Sequence, residues 1–271
     1  MALNPDQIAA ELYDQTVTDW PGGELGFYRE DAKGAETILE VACGTGRIGL
    51  RLAREGWSVA GFDLSPYMIE IARHKAEGIR NIALFAADMT SFELGRTFDV
   101  VVIPGHSFQF MLTIRAQLAC LASIRRHLSD NGKMIVHIDH QDAAWLGGLP
   151  IEPEGAFGEP SEVRLADGRA FWIRKRWSYD RATQTATLLT RIEQTDSTGA
   201  VVDSAARGPV HMHCFFRYEM EHLLERAGFE LQALYGDFSR GALTHESTEM
   251  IWVASNRSRS AIGDRRAPAG V

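Results

Sequence analysis

Three carboxylates stand where three successive predicted strands end. Glu40, Asp63 and Asp88 each lie at the carboxyl end of an apolar segment or just after it. Because the carboxyl ends of parallel strands form the ligand crevice of an open sheet, we expect these side chains to lie close together. One such carboxylate is usually a solvated loop residue. Three in succession indicate a ligand that offers hydroxyl, amine or cationic groups to acceptor oxygens.

A glycine loop lies directly after the first of these strands. Gly44, Gly46 and Gly49 have the G-x-G-x-x-G spacing of dinucleotide sites, where the backbone approaches a pyrophosphate. Glu40, four residues before Gly44, would repel a pyrophosphate but suits a cationic group. We therefore expect a ligand that carries positive charge near Glu40. Its ribose would face Asp63, and an exocyclic amine such as that of adenine would face Asp88.

Alternating strands and helices position these residues. The order predicts right-handed βαβ units and a doubly wound, mostly parallel, seven-stranded Rossmann-like sheet of the α/β class. The predicted strands are 37–42, 57–62, 82–86, 98–103, 133–138, 229–235 and 250–254, with a turn at 129–132. The predicted helices include 46–54, a segment from Pro66, 113–127 and 218–227.

Between Asp142 and Pro209 the alternation of strands with helices stops, and apolar residues recur at every second position instead. Residues 169–179 and 182–194 predict an antiparallel hairpin, with flanking strands near 161–166 and 210–217. The predicted parts of the chain are an N-terminal helical lid (1–35), a ligand-binding domain (36–141 and 218–255), an antiparallel β insertion on the acceptor side (142–217) and a disordered tail (256–271).

Composition excludes several classes of partner. The chain of 271 residues has a net charge of −8, which argues against nucleic acid held by phosphate contacts. No apolar run reaches the roughly 18 residues that would span a membrane, and the start lacks the pattern of a signal peptide. Three cysteines are too few for a disulfide framework. We expect a cytoplasmic monomer or homodimer that acts on a small molecule.

The motifs around the three carboxylates resemble those of a known family. The stretches 40–46, 63–68 and 87–89 are similar to the cofactor motifs of class I S-adenosylmethionine-dependent methyltransferases, and 98–101 and 128–133 fit the same pattern. The Ala-Cys-Gly-Thr-Gly form and the antiparallel insertion resemble small-molecule methyltransferases, including glycine and amino-sugar N-methyltransferases.

The resemblance implies S-adenosyl-L-methionine as the cofactor. Glu40 and the glycine loop would face its methionine part, Asp63 its ribose, and Asp88 with the Met89 backbone its adenine. Leu64 and Met68 would flank the base, although Met68 fits helix core equally well. Arg47 either binds the cofactor carboxylate or faces solvent. The predicted cofactor site comprises Glu40, Ala42, Gly44, Gly46, Arg47, Asp63, Leu64, Met68, Asp88, Met89 and Pro104.

The loop after the fourth strand is the predicted acceptor site. His106 in this loop is placed to act as a base or to orient the acceptor, and His140 follows the fifth strand. Tyr13 and Tyr28 either close the site or pack the N-terminal helices. The predicted catalytic residues are His106, His140 and Tyr13, and the predicted acceptor contacts are Tyr28, Ser107, Gln109, Arg174 and Arg217.

The sequence favours no metal site. His211 and His213 share one strand face, but no cysteine or carboxylate accompanies them at ligand spacing. The function predicted from all these features is methyl transfer to nitrogen or oxygen of a small-molecule acceptor. Two alternatives stay open, an NAD(P)-dependent oxidoreductase and a non-catalytic cofactor-binding sensor. Glu40 and the Asp88–Met89 pair argue against the dinucleotide.

Overall fold

The computed structural model describes residues 3–17 and 23–256. The tail that we predicted to be disordered lies outside these residues, except for Asn256, which ends a strand. The helices of the described part are Pro5–Thr16 (α1), Glu24–Asp31 (α2), Gly49–Arg54 (α3), Pro66–Lys75 (α4), Ile114–His127 (α5), Ala143–Gly148 (α6) and Arg217–Arg226 (α7). A short 3-10 helix spans Ser107–Phe110.

The strands form two sheets. They are Thr37–Val41 (β1), Ser58–Asp63 (β2), Ile82–Ala86 (β3), Phe98–Ile103 (β4), Leu128–Asp139 (β5), Ser161–Arg164 (β6), Ala170–Asp180 (β7), Thr185–Thr195 (β8), Val201–His213 (β9), Phe229–Tyr235 (β10) and Glu249–Asn256 (β11). The larger sheet has seven strands in the order β10-β11-β5-β4-β1-β2-β3, and the smaller has four in the order β6-β7-β8-β9.

The order of the larger sheet reverses at β1, which lies between β4 and β2. The pairs of β1 with β2, β1 with β4, β2 with β3 and β4 with β5 are parallel, whereas β11 runs antiparallel to both of its neighbours. A ligand crevice forms beyond the carboxyl ends of the strands at such a reversal. The predicted doubly wound, mostly parallel seven-stranded sheet with an antiparallel β subdomain is confirmed.

Helices cover both faces of the larger sheet. One face packs against Leu121 of α5 and Leu224 of α7. The other packs against Phe27 of α2 and Leu52 of α3. The residues at the helix starts are typical caps. Ser65 caps α4, where its side chain accepts a hydrogen bond from Met68 N and Pro66 is the first helical residue, and Thr113 caps α5. The apolar helix faces hold the strand ends in fixed positions around the crevice.

The predicted turn at 129–132 is wrong as a strand boundary. The structure continues β5 through these residues, because Phe98 pairs with Leu128 and the next partners in register are Val100 and Lys133. The four residues 129–132 therefore form an irregularity within the strand. Bulges of this kind insert residues without ending the pairing.

The last strand of the insertion is also longer than predicted. It starts at Val201, although the sequence indicated a strand only near 210–217. Gly208 and Pro209 interrupt the alternation of apolar and polar residues, a pattern that usually indicates the end of a strand. Since β9 is an edge strand of the smaller sheet, a proline without a backbone N–H is tolerated there.

The two N-terminal helices pack in different places. Ile8 and Leu12 of α1 contact Phe171 and Ile173 of the insertion sheet, whereas Phe27 of α2 belongs to the core of the larger sheet. The proposed division into domains, with one N-terminal lid over residues 1–35, stays a prediction. Among the described residues, no helix is long and apolar enough to cross a membrane.

Candidate active site

Glu40 is buried at the floor of the crevice. Its side chain is only 2% exposed, and Oε2 accepts a hydrogen bond from Gly49 N at 2.8 Å. A Cβ atom on Gly49 would lie 2.4 Å from that oxygen, so this position has to be glycine for the carboxylate to sit there. Burial raises the pKa of Glu40 to about 8, against the opposing effects of the Gly49 N–H and Arg47. A cationic ligand would stabilise its ionised form.

Arg47 is buried rather than exposed at the helix start. It forms an ion pair with Glu24 of α2 at 2.6 Å, with side-chain exposures of 11% and 0%. Burial would lower the pKa of Arg47, but the hydrogen bond and charge of Glu24 outweigh it and raise the pKa. Arg47 lines the same cavity as Glu40, so its positive charge lies at the predicted methionine site.

Asp63 fixes the conformation of the glycine loop. Its Oδ2 accepts from Gly44 N at 2.9 Å, and its Oδ1 accepts from Ser65 N at 2.8 Å. Burial raises its pKa, and these backbone N–H groups oppose the shift. Gly44 (φ 54°) and Gly46 (φ 80°) are in the left-handed region, and Ala42 shares it at φ 56°. A non-glycine residue with positive φ is strained, as is common next to ligand sites.

The residues predicted to surround the adenine lie on the β2 and β3 side of the crevice. Leu64 is 73% exposed, and Met68 is half-buried on the first turn of α4. Asp88 is exposed, and its Oδ1 accepts from the Thr90 backbone N–H and hydroxyl at 2.7 and 2.8 Å. Met89 packs against the core of the larger sheet. Their contacts with a base stay a prediction.

Tyr13 of α1 covers the glycine loop. Its ring lies 3.5 Å from the position that a Cβ atom of Gly44 would take, and burial raises its pKa to about 12. Next to it, Asp14 accepts hydrogen bonds from Thr45 Oγ1 at 2.6 Å and Lys75 Nζ at 2.8 Å. The cavity beneath is lined by Tyr13, Glu40, Ala42, Cys43, Arg47, Pro104 and Gly105. Helix α1 therefore covers the predicted methionine site.

A second group of polar side chains adjoins Gly105. His106 Nε2 and His137 Nε2 lie 2.8 and 2.6 Å from Glu249 Oε2, and 3.2 Å from each other. His106 Nδ1 lies 3.0 Å from Asp139 Oδ1. We call His106, His137 and Glu249 the histidine–glutamate cluster. Its members come from the loop after β4, from β5 and from the first residue of β11.

Charges in the cluster perturb one another. Burial would lower the pKa of His106, but Glu249 and Asp139 outweigh it and raise the pKa. Burial lowers the pKa of His137 to about 4. Although burial would raise the pKa of Glu249, hydrogen bonds with His106 and His137 lower it to about 2. Glu249 is therefore an anion between the two rings.

Two residues that we predicted to contact the acceptor instead pack or form hydrogen bonds within the fold, apart from the cluster. Tyr28 is 1% exposed and packs edge-on against Phe27 and Phe238, so the packing alternative accounts for it. Gln109 is buried; its amide donates to His213 O at 3.3 Å and accepts from Asp139 N at 3.1 Å. It connects the acceptor loop to β5 and β9. Ser107, half-buried, begins the 3-10 helix beside His106.

Other predicted residues lie apart from the cluster. His140 is turned toward the Ser247 carbonyl at 2.8 Å, because alternation along β5 places His137 and Asp139 on the opposite face. Arg174 pairs with Glu193 at 3.1 Å, on the sheet face opposite to the one that packs on α1. Arg217 is exposed and stacks on Tyr218. The catalytic and acceptor roles of these residues stay predictions.

His211 and His213 do not share a site. His211 is exposed and contacts Thr187 Oγ1 at 2.9 Å, while His213 contacts Glu219 at 2.8 Å.

Sequence reasoning did not identify Glu249 or Glu24. A signal for Glu249 existed: it directly precedes the apolar strand Met250–Ala254. If that strand is placed antiparallel to β5, its first residue falls at the carboxyl edge of the sheet, where the ligand crevice lies. Glu24 has no comparable signal, because its partner Arg47 lies on a separate element.

The sequence matches a known family over part of its N-terminal half. Residues 38–132 match the family described as "Methyltransferase domain". The chain carries a methyltransferase domain. The resemblance to class I S-adenosylmethionine-dependent enzymes and the predictions of enzyme class and cofactor are thereby confirmed.

Three relatives support this result. A Geobacillus sp. (strain WCH70) protein named as a methyltransferase is 36% identical over 107 residues, 39% of this chain and 43% of the relative. YqeM of Bacillus subtilis (strain 168), also named as a methyltransferase, is 25% identical over 90% of this chain and 94% of its own. A dTDP-4-amino-2,3,4,6-tetradeoxy-D-glucose N,N-dimethyltransferase of Saccharopolyspora spinosa is 29% identical over 49% of this chain and 54% of its own. The chain thus spans about half the length of the first and third relatives.

A solved structure has the same fold. An S-adenosylmethionine-dependent methyltransferase from Clostridium acetobutylicum ATCC 824 superposes with a TM-score of 0.73 at 15% identity, over 93% of this chain and 97% of that chain. The match includes the antiparallel insertion, since it covers nearly the whole of both chains.

Proposed function

We propose that this methyltransferase transfers the methyl group of S-adenosylmethionine to an amine nitrogen of a small-molecule acceptor. The observation that carries the proposal is the meeting of two walls at one crevice. The cofactor wall consists of Glu40, Asp63 and the loop 42–47, and the acceptor wall of the histidine–glutamate cluster with Asp139. Gly105 lines the cavity and precedes His106, so the walls are adjacent.

The cofactor wall suits a ligand with both cationic and hydroxyl groups. Glu40 would face the methionine ammonium, and Arg47 the methionine carboxylate. Asp63 can accept further hydrogen bonds from ribose hydroxyls. Each of its carboxylate oxygens has two lone pairs, and the N–H groups of Gly44 and Ser65 each use one.

Methyl transfer from a sulfonium is an in-line displacement: the lone pair of the neutral acceptor nitrogen bonds to the methyl carbon as the carbon–sulfur bond breaks, and the methylated nitrogen then releases its extra proton to solvent. The protein's contribution is alignment and exclusion of water. Tyr13 and helix α1 cover one side of the cavity, and the buried Pro104 lines the other. Asp139, with a side chain 40% exposed, offers a negative charge at the acceptor wall. That charge favours an amine over an anionic acceptor.

The acceptor class is supported by the Saccharopolyspora spinosa relative, whose name specifies an amino-sugar N,N-dimethyltransferase. We further propose a cytoplasmic location and a monomer or homodimer. All three cysteines are buried thiols without a disulfide, which suits a reducing compartment.

A panel of small amines tests the proposal. The protein would be incubated with S-adenosylmethionine and amino sugars, amino acids or the corresponding alcohols, and S-adenosylhomocysteine release measured by mass spectrometry. We expect release that depends on an amine and is lost in Asp63→Asn. Release only with alcohols would move the reaction to oxygen, and no acceptor-dependent release from the panel would contradict the proposal.

A further inference from the structure

The histidine–glutamate cluster has the composition of a metal site. It provides two imidazoles and one carboxylate, the ligand set of many sites for divalent first-row transition metals. The three atoms that face one another are His106 Nε2, His137 Nε2 and Glu249 Oε2, separated by 2.6, 2.8 and 3.2 Å. Ligands about 2.0–2.2 Å from one tetrahedral ion lie roughly 3.3–3.6 Å apart. The two rings are already close to that separation, whereas Glu249 Oε2 would have to withdraw from each ring by about 0.5–1 Å to admit the ion.

The outer contacts of His106 fit the same interpretation. Its Nδ1 lies 3.0 Å from Asp139 Oδ1, so that nitrogen carries the proton. A ligating histidine typically donates its other ring N–H to a carboxylate, which fixes the tautomer and orients the ring. The backbone of His106 is in the left-handed region at φ 66°, a conformation that surrounding structure has to enforce. This strain is located at the residue that brings the acceptor loop to the cluster.

Charge also favours a cation at this point. Glu249 and Asp139 place two carboxylates around the two rings, and His137 is fully buried. If protons alone occupied the cluster, both Nε2–H groups would point at one carboxylate oxygen and face each other across 3.2 Å. One divalent ion would replace both protons and balance both carboxylates. Besides the withdrawal of Glu249 Oε2, binding requires the proton of His137 to move to Nδ1, so that the Gly105 N–H, which now donates to that nitrogen at 3.3 Å, has to turn away.

We infer that His106, His137 and Glu249 bind a divalent transition-metal ion at the acceptor wall of the crevice. A second step rests on the proposed function: the ion would hold an oxygen of the acceptor. It would not hold the amine, because a coordinated nitrogen has no lone pair with which to attack the methyl group. The acceptor class is therefore an amine with a neighbouring hydroxyl or carboxylate, as in amino sugars and amino acids.

Metal binding is tested on the full chain without reference to activity. The protein would be stripped with a chelator, titrated with Zn²⁺ by calorimetry and analysed for bound metal after gel filtration. We expect about one tightly bound equivalent, with the affinity reduced at least about tenfold in Glu249→Gln and in His137→Gln. His211→Gln and Glu230→Gln are matched controls, because they remove an exposed imidazole and an exposed carboxylate elsewhere.

A second measurement needs no variant. Co²⁺ bound to two imidazoles and a carboxylate should give a visible absorption band that Zn²⁺ displaces. The site is refuted if the wild-type protein binds no stoichiometric Zn²⁺ or Co²⁺. It is also refuted if folded Glu249→Gln and His137→Gln, checked by circular dichroism, bind metal as the wild type does.

Activity then separates the inference from the proposed function. Unchanged methyl transfer and an unchanged acceptor KM in the stripped enzyme would overturn the role of the ion in holding the acceptor, while leaving the proposed function intact. Stoichiometric Zn²⁺ binding together with no methyl transfer to any amine would support the metal site and contradict the proposed function.

Discussion

The two walls of the crevice are built from different kinds of contact. On the cofactor wall, carboxylates bond to backbone N–H groups nearby in the chain: Glu40 to Gly49, nine residues away, and Asp63 to Gly44, nineteen residues away. On the acceptor wall, side chains contact side chains: His106 and Glu249 are 143 residues apart. The first wall is a local property of strand, loop and helix. The second exists only once the whole sheet has formed.

The cofactor wall has one exception to this local pattern, the buried ion pair between Arg47 and Glu24 of α2, and its loss should have the largest effect. Arg47→Met removes the guanidinium from Glu24, a carboxylate with 0% side-chain exposure. We expect the free energy of unfolding to fall by about 3–5 kcal/mol, because a buried charge loses its partner. Urea denaturation measures this change. Arg29→Met is the control: it breaks an exposed pair with Glu55 and should cause no measurable loss. Equal effects of the two variants would show that the Arg47–Glu24 pair does not stabilise the cofactor wall through its burial.

The close packing of Glu40 on the helix start gives the next largest effect. In Gly49→Ala, the new Cβ would meet Glu40 Oε2 at 2.4 Å. We expect a loss of about 1–3 kcal/mol in stability together with weaker binding of S-adenosylhomocysteine. At Gly26, by contrast, a Cβ would meet no atom within 4 Å. Gly26→Ala in helix α2 should therefore stabilise the protein by roughly 0.5–1 kcal/mol. Unchanged stability and ligand binding in Gly49→Ala would show that the Glu40 carboxylate does not lie against Gly49.

Titration of Glu40 should couple cofactor binding to pH. Its pKa is about 8 in the folded protein, against 4.5 for an ordinary glutamate. A cationic ligand binds the ionised form, so the affinity for S-adenosylhomocysteine should fall by up to about tenfold per pH unit below pH 8. Calorimetry from pH 6 to pH 9 measures this dependence. In Glu40→Gln we expect weaker binding with a flatter pH profile, and an unchanged slope would exclude Glu40 as its source.

The same group predicts the sign of a stability change. Between pH 4.5 and about 8, the folded protein holds a proton on Glu40 that the unfolded chain has released. The contribution of this group to stability should therefore be complete below pH 4.5, decline as the pH rises and level off above about 8. Urea denaturation of wild type and Glu40→Gln over this range isolates it. If the stability of wild type relative to Glu40→Gln instead increased between pH 4.5 and about 8, the raised pKa of Glu40 would be contradicted.

The smallest effect is expected on the outer face of the insertion. Arg174 forms a partly exposed pair with Glu193 on the face away from α1. Arg174→Gln should leave the acceptor KM within about twofold of wild type, because a partly exposed pair contributes little. Asp139→Asn, at the acceptor wall, should raise the same KM by about tenfold or more, since it removes a charged hydrogen-bond acceptor. Steady-state kinetics with one amine acceptor compares the two, and the reverse ranking would place the acceptor on the insertion.

The contrast between the walls also explains what the sequence could predict. The strand–loop–helix order around Glu40, and the carboxylate at Asp63, are patterns within about twenty residues. These local patterns were enough to predict the fold class and the position of the cofactor site. The cluster of His106, His137 and Glu249 depends on the position of β11 beside β5, which no local pattern specifies.

Two strand boundaries were mispredicted for a related reason. The turn at 129–132 and the breaker at Gly208–Pro209 are local signals that pairing overrides, because neighbouring strands continue past them. Tyr28 illustrates the same limit for side chains. Its position after a predicted helix start suits either a lid or a core, and only the packing of α2 on the larger sheet places its ring in the core. Its contact with an acceptor stays a prediction.

Calorimetric titration of the protein with S-adenosylhomocysteine at pH 8 tests the central claim most directly. We predict one site per chain with micromolar affinity. Binding should be severely weakened in Asp63→Asn and unchanged in Asp130→Asn, which alters an exposed carboxylate in the irregular part of β5. Absence of binding by the wild-type protein, or equal binding by Asp63→Asn, would contradict it.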